Sequence, residues 1–179
     1  QREQSQNLNS LTKNYFFALF IVFLLLAIPF KSYYQPLIVM FAIPYGIIGA
    51  VIGHVLLGMD FSILSMLGIA ALSGVVVNDS LVMMDYINRN KELSKDPIKA
   101  ALNVGPIRFR PIFLTSITTF MGVLPLIFEK SIQAKFLVPM AVSLGFGVLF
   151  STFVTLILVP TTYITFEKIK EYFRKISIN

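Results

Sequence analysis

Gly74-Val75-Val76-Val77-Asn78-Asp79-Ser80-Leu81-Val82-Met83-Met84-Asp85 lies inside a hydrophobic run long enough to cross a bilayer, and it carries two carboxylates. A charge at membrane depth costs at least ~2.5–3.5 kcal/mol, so such groups face a bundle interior or a polar path rather than lipid. Of the nine acidic residues in the chain, only Asp79 and Asp85 fall within apolar runs. Whatever chemistry the chain performs at membrane depth is therefore concentrated on one helix.

Composition sets the class around that helix. Hydrophobic residues make up 56% of the 179 and charged residues 13%, with 17 Phe and no Trp. A soluble domain carries about a quarter charged residues and only short apolar runs. Here long apolar runs recur over the whole length, which predicts an all-α, polytopic transmembrane helix bundle. The absence of Cys excludes disulfides, thiolate catalysis and Cys-based metal sites. The net charge of +6 sits in loops and at the C-terminal end, a topological signal that calls for no nucleic acid. The chain begins at Gln1 and shows no secretory signal before its first span. It is expected to be a piece of a longer polypeptide.

Five spans are predicted, at roughly 14–30, 36–57, 61–87, 111–128 and 136–166. Residues 1–13 read as a polar lead-in from an extracytoplasmic segment. Pro44 should kink the second span, in which Gly46, Gly49 and Gly53 lie near one face and allow a second helix to approach closely. Gly145 and Gly147, with Ser143 and Ser151, give the fifth span the same packing character. Residues 88–110 form the longest polar segment, with Ser94 or Asp96 as a helix N-cap and Pro97 in the first turn. That predicts a short interfacial helix over about 97–104, stopped by Gly105-Pro106. The tail, 167–179, has cations and apolar residues at helical spacing and is expected along the membrane surface. Eleven of the fifteen Lys and Arg fall on the side holding Lys31, the 88–110 loop and the tail. Positive-inside then places the N-terminus outside and the C-terminus in the cytoplasm.

Each polar residue at depth has two readings. Asp79 is either a proton-relay carboxyl or a structural hydrogen-bonding group; relays use such residues because a low-dielectric site favours the protonated acid. Asp85 lies about 120° around the helix and shares a face with Asn78. It is either a second relay group or an interfacial anchor paired with Arg89 one turn on. Thr115 and Thr119 share a face of the fourth span, either serving Asp79 or returning their hydroxyls to their own helix. Arg108 and Arg110 open that span from the cytoplasmic side, where anchoring is the default. The single histidine, His54, reads as a packing residue, and the methionines show no soft-metal spacing. No Walker loop, Gly-x-Gly-x-x-Gly or His-Glu-x-x-His occurs, so no catalytic residue, metal site or cofactor is assigned.

Three ordered stretches carry a resemblance. They are Phe30-Lys31-Ser32-Tyr33 with Ile43-Pro44-Tyr45-Gly46, then Gly74 to Ser80, then Arg108-Phe109-Arg110-Pro111-Ile112-Phe113-Leu114-Thr115-Ser116. Together the chain resembles the resistance-nodulation-division (RND) efflux permeases over essentially its whole length, as the last five of their twelve membrane helices. The resemblance implies an inner-membrane, proton-driven exporter of drugs or other toxic small molecules, with the outer N-terminus in the periplasm. It implies a homotrimer working with a periplasmic adaptor and an outer-membrane channel, in contact with lipid and with the rest of the permease chain. It also implies a proton relay joining an Asp pair, outside this chain, to the tenth and eleventh helices. There the multidrug members' Lys falls on Asn78, the neighbouring Asn on Asp79, and the relay Thr and Arg on Thr115 and Arg108. With the basic partner absent, the relay must be wired differently, through Asp79. Two alternatives stand beside it. One is a Sec-type accessory subunit of the same superfamily, whose motif also reads Asn-Asp before Ser/Thr; the other is a purely scaffolding membrane module.

Overall fold

In a computed structural model the described residues are 2–94 and 96–176, with the side chains of 2–8, 92–94, 171 and 173–176 outside the description. Seven helices follow one another: α1 (Arg2–Phe30), α2 (Tyr34–Met40), α3 (Ile43–Leu56), α4 (Ile63–Ser94), α5 (Pro97–Ile127), α6 (Ile132–Lys135) and α7 (Val138–Ile176). No strand occurs among the described residues. Five stretches are long and apolar enough to cross a membrane, 9–30, 34–56, 63–91, 97–127 and 138–170. The chain is an all-α transmembrane bundle.

α7 is the hub, with α3, α4 and α5 packed along it. Missing side chains allow this closeness. A Cβ on Gly49 would lie 2.5 Å from the Phe150 Cβ, and one on Gly147 would lie 3.0 Å from the Gly46 carbonyl oxygen. A Cβ on Gly53 would stand 2.6 Å from Phe146, and one on Gly145 would stand 3.0 Å from Val123. Gly68, on α4, is as tight, its notional Cβ 2.5 Å from the Met140 carbonyl. Lipid tails are as apolar as Leu, so close van der Waals contact between backbones, rather than exclusion of water, holds such helices together. α1 sits at the edge and turns Phe16, Phe17, Phe20, Leu25 and Ile28 outward. A hydrogen bond ties it to α4, Tyr15 Oη to Ser73 Oγ at 2.6 Å.

Several predicted boundaries differ from the observed ones. The second span is broken at Phe41–Ala42 rather than bent, because Pro44 has no N–H to return to the Met40 carbonyl. The expected stop at Gly105-Pro106 is absent: α5 runs unbroken from Pro97 through Pro106, Pro111 and Pro125. Each proline forfeits one backbone bond, yet Ala101, Val104, Ile112 and Ser116 form a continuous buried face that holds the helix straight on through. The separate interfacial helix is therefore the first turns of α5. Its expected start is observed, with the Asp96 carboxylate accepting from the Ile98 and Lys99 amides and Pro97 in the first turn. The expected surface-lying tail is the end of α7, which continues to Ile176; residues 177–179 lie outside the description.

The α3–α4 corner closes on a Schellman turn. Gly58 takes φ +62°, while Met59 N–H donates to the His54 carbonyl at 2.9 Å and Gly58 N–H to Val55 at 3.2 Å. Behind it His54 is 2% exposed. Its Nδ1 lies 2.9 Å from the Ala50 carbonyl, which can only accept, so Nδ1 carries the proton. Nε2 then accepts from Ser65 Oγ at 2.8 Å. Replacing His54 with Ala removes one partner of the buried Ser65 hydroxyl, which keeps its contacts to Ser62, and opens a cavity beside Phe61. The expected loss is about 2–4 kcal/mol, read as a lower thermal midpoint of the purified protein in detergent.

Candidate functional site at mid-span

α4 presents two faces. Ser65, Ile69, Leu72, Val76, Ser80, Met83 and Ile87 are buried against the bundle, whereas Leu67, Ala70, Gly74 and Asn78 are exposed. Asp79 lies at the edge of the buried face, 8% exposed. No hydrogen bond or ion pair to its carboxyl occurs among the described residues. Asn78 points the other way, out of the fragment, and an added Cβ at Gly74 would meet nothing within 4 Å.

The levels of the neighbouring helices follow from their contacts. α4 and α7 run parallel, with Gly68 against Ser143, Leu72 against Gly147 and Lys91 against Glu167. Continuing that register sets Asp79 and Ser80 level with Thr155. α5 runs antiparallel to α4, with Arg108 over the Tyr86 ring at 5.0 Å, which brings Ser116 to the level of Asn78 and Asp79. Ser116 in turn meets Thr152 of α7. A polar layer thus crosses the bundle: Asp79 and Ser80 on α4, Ser116 on α5, and Ser151, Thr152 and Thr155 on α7. Every hydroxyl in it is buried. Beneath it lies a dry layer of Met83, Met84, Ile87 and Val159, all fully buried.

The other sequence candidates fall around this layer. Thr115 is exposed and donates to the Ile112 carbonyl at 2.8 Å, while Thr119 donates to Thr115 O at 2.8 Å. Neither bonds to Asp79 in this arrangement. Asp85 pairs with Arg89 at 2.9 Å, with both side chains well exposed. Arg108 is half-buried and stacked on Tyr86, its Nε without an acceptor among the described residues. A cleft of about 610 Å³ between α1, α3 and α4, lined by Tyr15, Val51, Phe61 and Met66, is apolar, and Asp79 is not in its lining.

Sequence reading missed a second polar cluster, below the dry layer. Lys91 Nζ lies 2.7 Å from Glu167 Oε1, which also accepts from Tyr163 at 3.1 Å and Tyr34 at 3.2 Å. Gln35 and Asn88 exchange two side-chain amide bonds of 2.9 Å each. These contacts tie α2, α4 and α7 together. Their signal was hidden because Asn88, Lys91 and Glu167 read as loop and tail. Removing one partner of a buried pair costs about 3–5 kcal/mol. Lys91 is 35% exposed, so Glu167→Gln is expected to cost less, roughly 1–3 kcal/mol after solvent screening. A double-mutant cycle with Lys91→Met on detergent unfolding measures the coupling directly.

Residues 1–167 match the AcrB/AcrD/AcrF family. The chain belongs to that family. Its members are the RND permeases, and the five apolar helices of this chain fit a multi-pass membrane protein of that family. Over 165 residues it is 30% identical to the multidrug resistance protein MdtC of Pantoea ananatis (strain AJ13355), covering 90% of this chain and 16% of that protein. Among solved structures it is similar to a heavy metal efflux pump in two crystal forms. One is 26% identical with a TM-score of 0.73 over 85% of this chain and 15% of that one. The other is 24% identical with a TM-score of 0.80 over 94% and 16%, which bears on the fold alone. The RND chain thus spans about a sixth of the length of these relatives.

Proposed function

We propose that this chain forms the last five membrane helices of a proton-driven RND permease that exports drugs or other toxic small molecules across the inner membrane of a Gram-negative cell. In this reading Asp79 is the carboxyl it contributes to proton coupling. The observation that carries the reading is Asp79 itself, an acid at mid-span that is 8% exposed and whose carboxyl has no cation or hydrogen-bond donor among the described residues. Such a group is costly in a bilayer and is kept where protonation and deprotonation do work. Asn78 and Asp85 share the outward side of the same helix and are the relay groups that would meet the remaining helices of the permease. Arg108, Thr115 and Thr119 supply the α5 side after side-chain rotation.

The Lys and Arg distribution supports a periplasmic N-terminus and a cytoplasmic C-terminus. The proton gradient, rather than a bound cofactor, is the energy source. The porter region, the homotrimer contacts, and the surfaces for a periplasmic adaptor and an outer-membrane channel belong to the rest of the permease. Export by the full-length permease in proteoliposomes is expected to require an imposed pH gradient. Export that continues after an uncoupler collapses the gradient would refute the proposal.

A further inference from the structure

Ser80 has no part in the relay as described, yet its hydroxyl is the layer's anomaly. It is wholly buried and has no hydrogen-bond partner among the described residues. A native protein keeps such an orphan where water, an ion or a moving group satisfies it. Its neighbours do not. Ser151 and Thr152 of α7 return their hydroxyls to the Val148 carbonyl, and Ser116 returns its own to Ile112. The register of α4 on α7 leaves Thr155, 2% exposed, as the hydroxyl level with Ser80. Asp79 is the next residue along the helix.

We propose that Ser80 and Thr155 form a hydration site on the α4–α7 seam, holding a water molecule that passes protons to and from the Asp79 carboxyl. A buried water makes about three hydrogen bonds, and the carboxyl and two hydroxyls supply that number. In the transfer the carboxyl O–H bond breaks as the water oxygen takes its proton and the carboxylate keeps the electron pair. An O–H bond of the water then breaks as the Thr155 hydroxyl oxygen takes a proton and gives its own to solvent water at the edge of the seam, so that water and hydroxyl are left unchanged. Charged groups of the packed helices do not compete for the carboxyl: Arg108 stacks on Tyr86, Lys91 is bound to Glu167, and Asp85 to Arg89. The route runs along the α4–α7 seam and does not use Thr115, whose hydroxyl serves its own helix. It rests on the reading of Asp79 as the coupling carboxyl.

Ser80→Ala and Thr155→Val delete a hydroxyl without adding bulk, so membrane abundance should hold. In the full-length permease each is expected to slow gradient-driven export by about tenfold, the worth of one hydrogen bond. The protonated-carboxyl band of Asp79, identified in infrared difference spectra by its loss in Asp79→Asn, should move to higher frequency. Thr155→Ser should restore both. An unchanged rate overturns the hydration site, and so does a lost rate with an unmoved band, which marks a purely structural role. An active Asp79→Asn would instead sink the coupling reading itself, whereas an inactive Asp79→Asn beside normal hydroxyl variants sinks only the hydration site.

Discussion

Replacing Asp79 with Asn is expected to abolish gradient-driven export by the full-length permease, at least a hundredfold in rate, while its abundance in the membrane stays at the wild-type level. The two halves of that expectation rest on different physics. Asn has the shape of protonated Asp and keeps hydrogen-bonding capacity, but it cannot take up or release a proton. A positioned acid–base group contributes about 10²–10⁴-fold to a proton-transfer step, and all of it is lost. Stability behaves in the opposite way. The Asp79 carboxyl makes no ion pair or hydrogen bond among the described residues, so no partner is stranded by the change. Removing an unpaired acid from the interior relieves a cost rather than incurring one. Proton uptake measured in proteoliposomes alongside quantitative immunoblotting separates the two effects. Thr115→Ala is expected to be milder, since that hydroxyl already serves the Ile112 carbonyl. Wild-type export by Asp79→Asn would make Asp79 a packing residue and leave coupling to helices outside this chain.

The second large effect is steric. Gly68→Ala is expected to destabilise the bundle by about 3 kcal/mol, at the upper end of what overpacking a core costs. The added Cβ would lie 2.5 Å from the Met140 carbonyl oxygen, 2.8 Å from the Ser143 Cβ and 3.1 Å from the Met140 Cα. None of these is the tip of a flexible side chain, so α4 and α7 must part. Gly49→Ala meets the same obstacle, 2.5 Å from the Phe150 Cβ and 2.9 Å from the Phe146 carbonyl. Gly147→Ala is expected to be the mildest of the three. Its closest obstacle is Leu72 Cδ2 at 2.3 Å, and a leucine can change rotamer. Gly105→Ala is the control, with the Leu156 carbonyl at 3.9 Å, an ordinary contact. Thermal unfolding of the detergent-solubilised protein should rank Gly68 and Gly49 as most damaging and Gly105 as silent. A Gly68→Ala protein as stable as the parent would mean that α4 and α7 do not pack as described.

The open faces have a consequence for these experiments. Gly74 and Gly122 have nothing within 4 Å of an added Cβ, and α1 turns most of its large side chains outward. In the proposed permease, lipid or its remaining helices would cover those faces. Substitutions there are best read in the full-length protein, whereas the α3–α4–α7 contacts are internal to this chain.

What the sequence determined by itself is the class, the count of spans and the family. Hydropathy does this because a bilayer admits only structures that satisfy every backbone group internally, so long apolar runs have few alternatives to helices. The helix start there was partly legible: the sequence offered Ser94 or Asp96 as the cap before Pro97, and the structure selects Asp96, whose carboxylate takes the free amides. Tertiary structure decided the rest. Gly105-Pro106 looks like a stop, and Pro111 like the start of a new span, until Ala101, Val104 and Ile112 are seen packed into one face, because burial outweighs single lost backbone bonds. Lys91 and Glu167 sit 76 positions apart, and only the parallel register of α4 on α7 makes them a pair. The same register gathers Asp79, Ser80, Ser116 and Thr155 into one layer. A one-dimensional pattern reports which residues are polar within an apolar run. Which of them share a level depends on helix direction and offset, and those are set by where the glycines let the backbones meet.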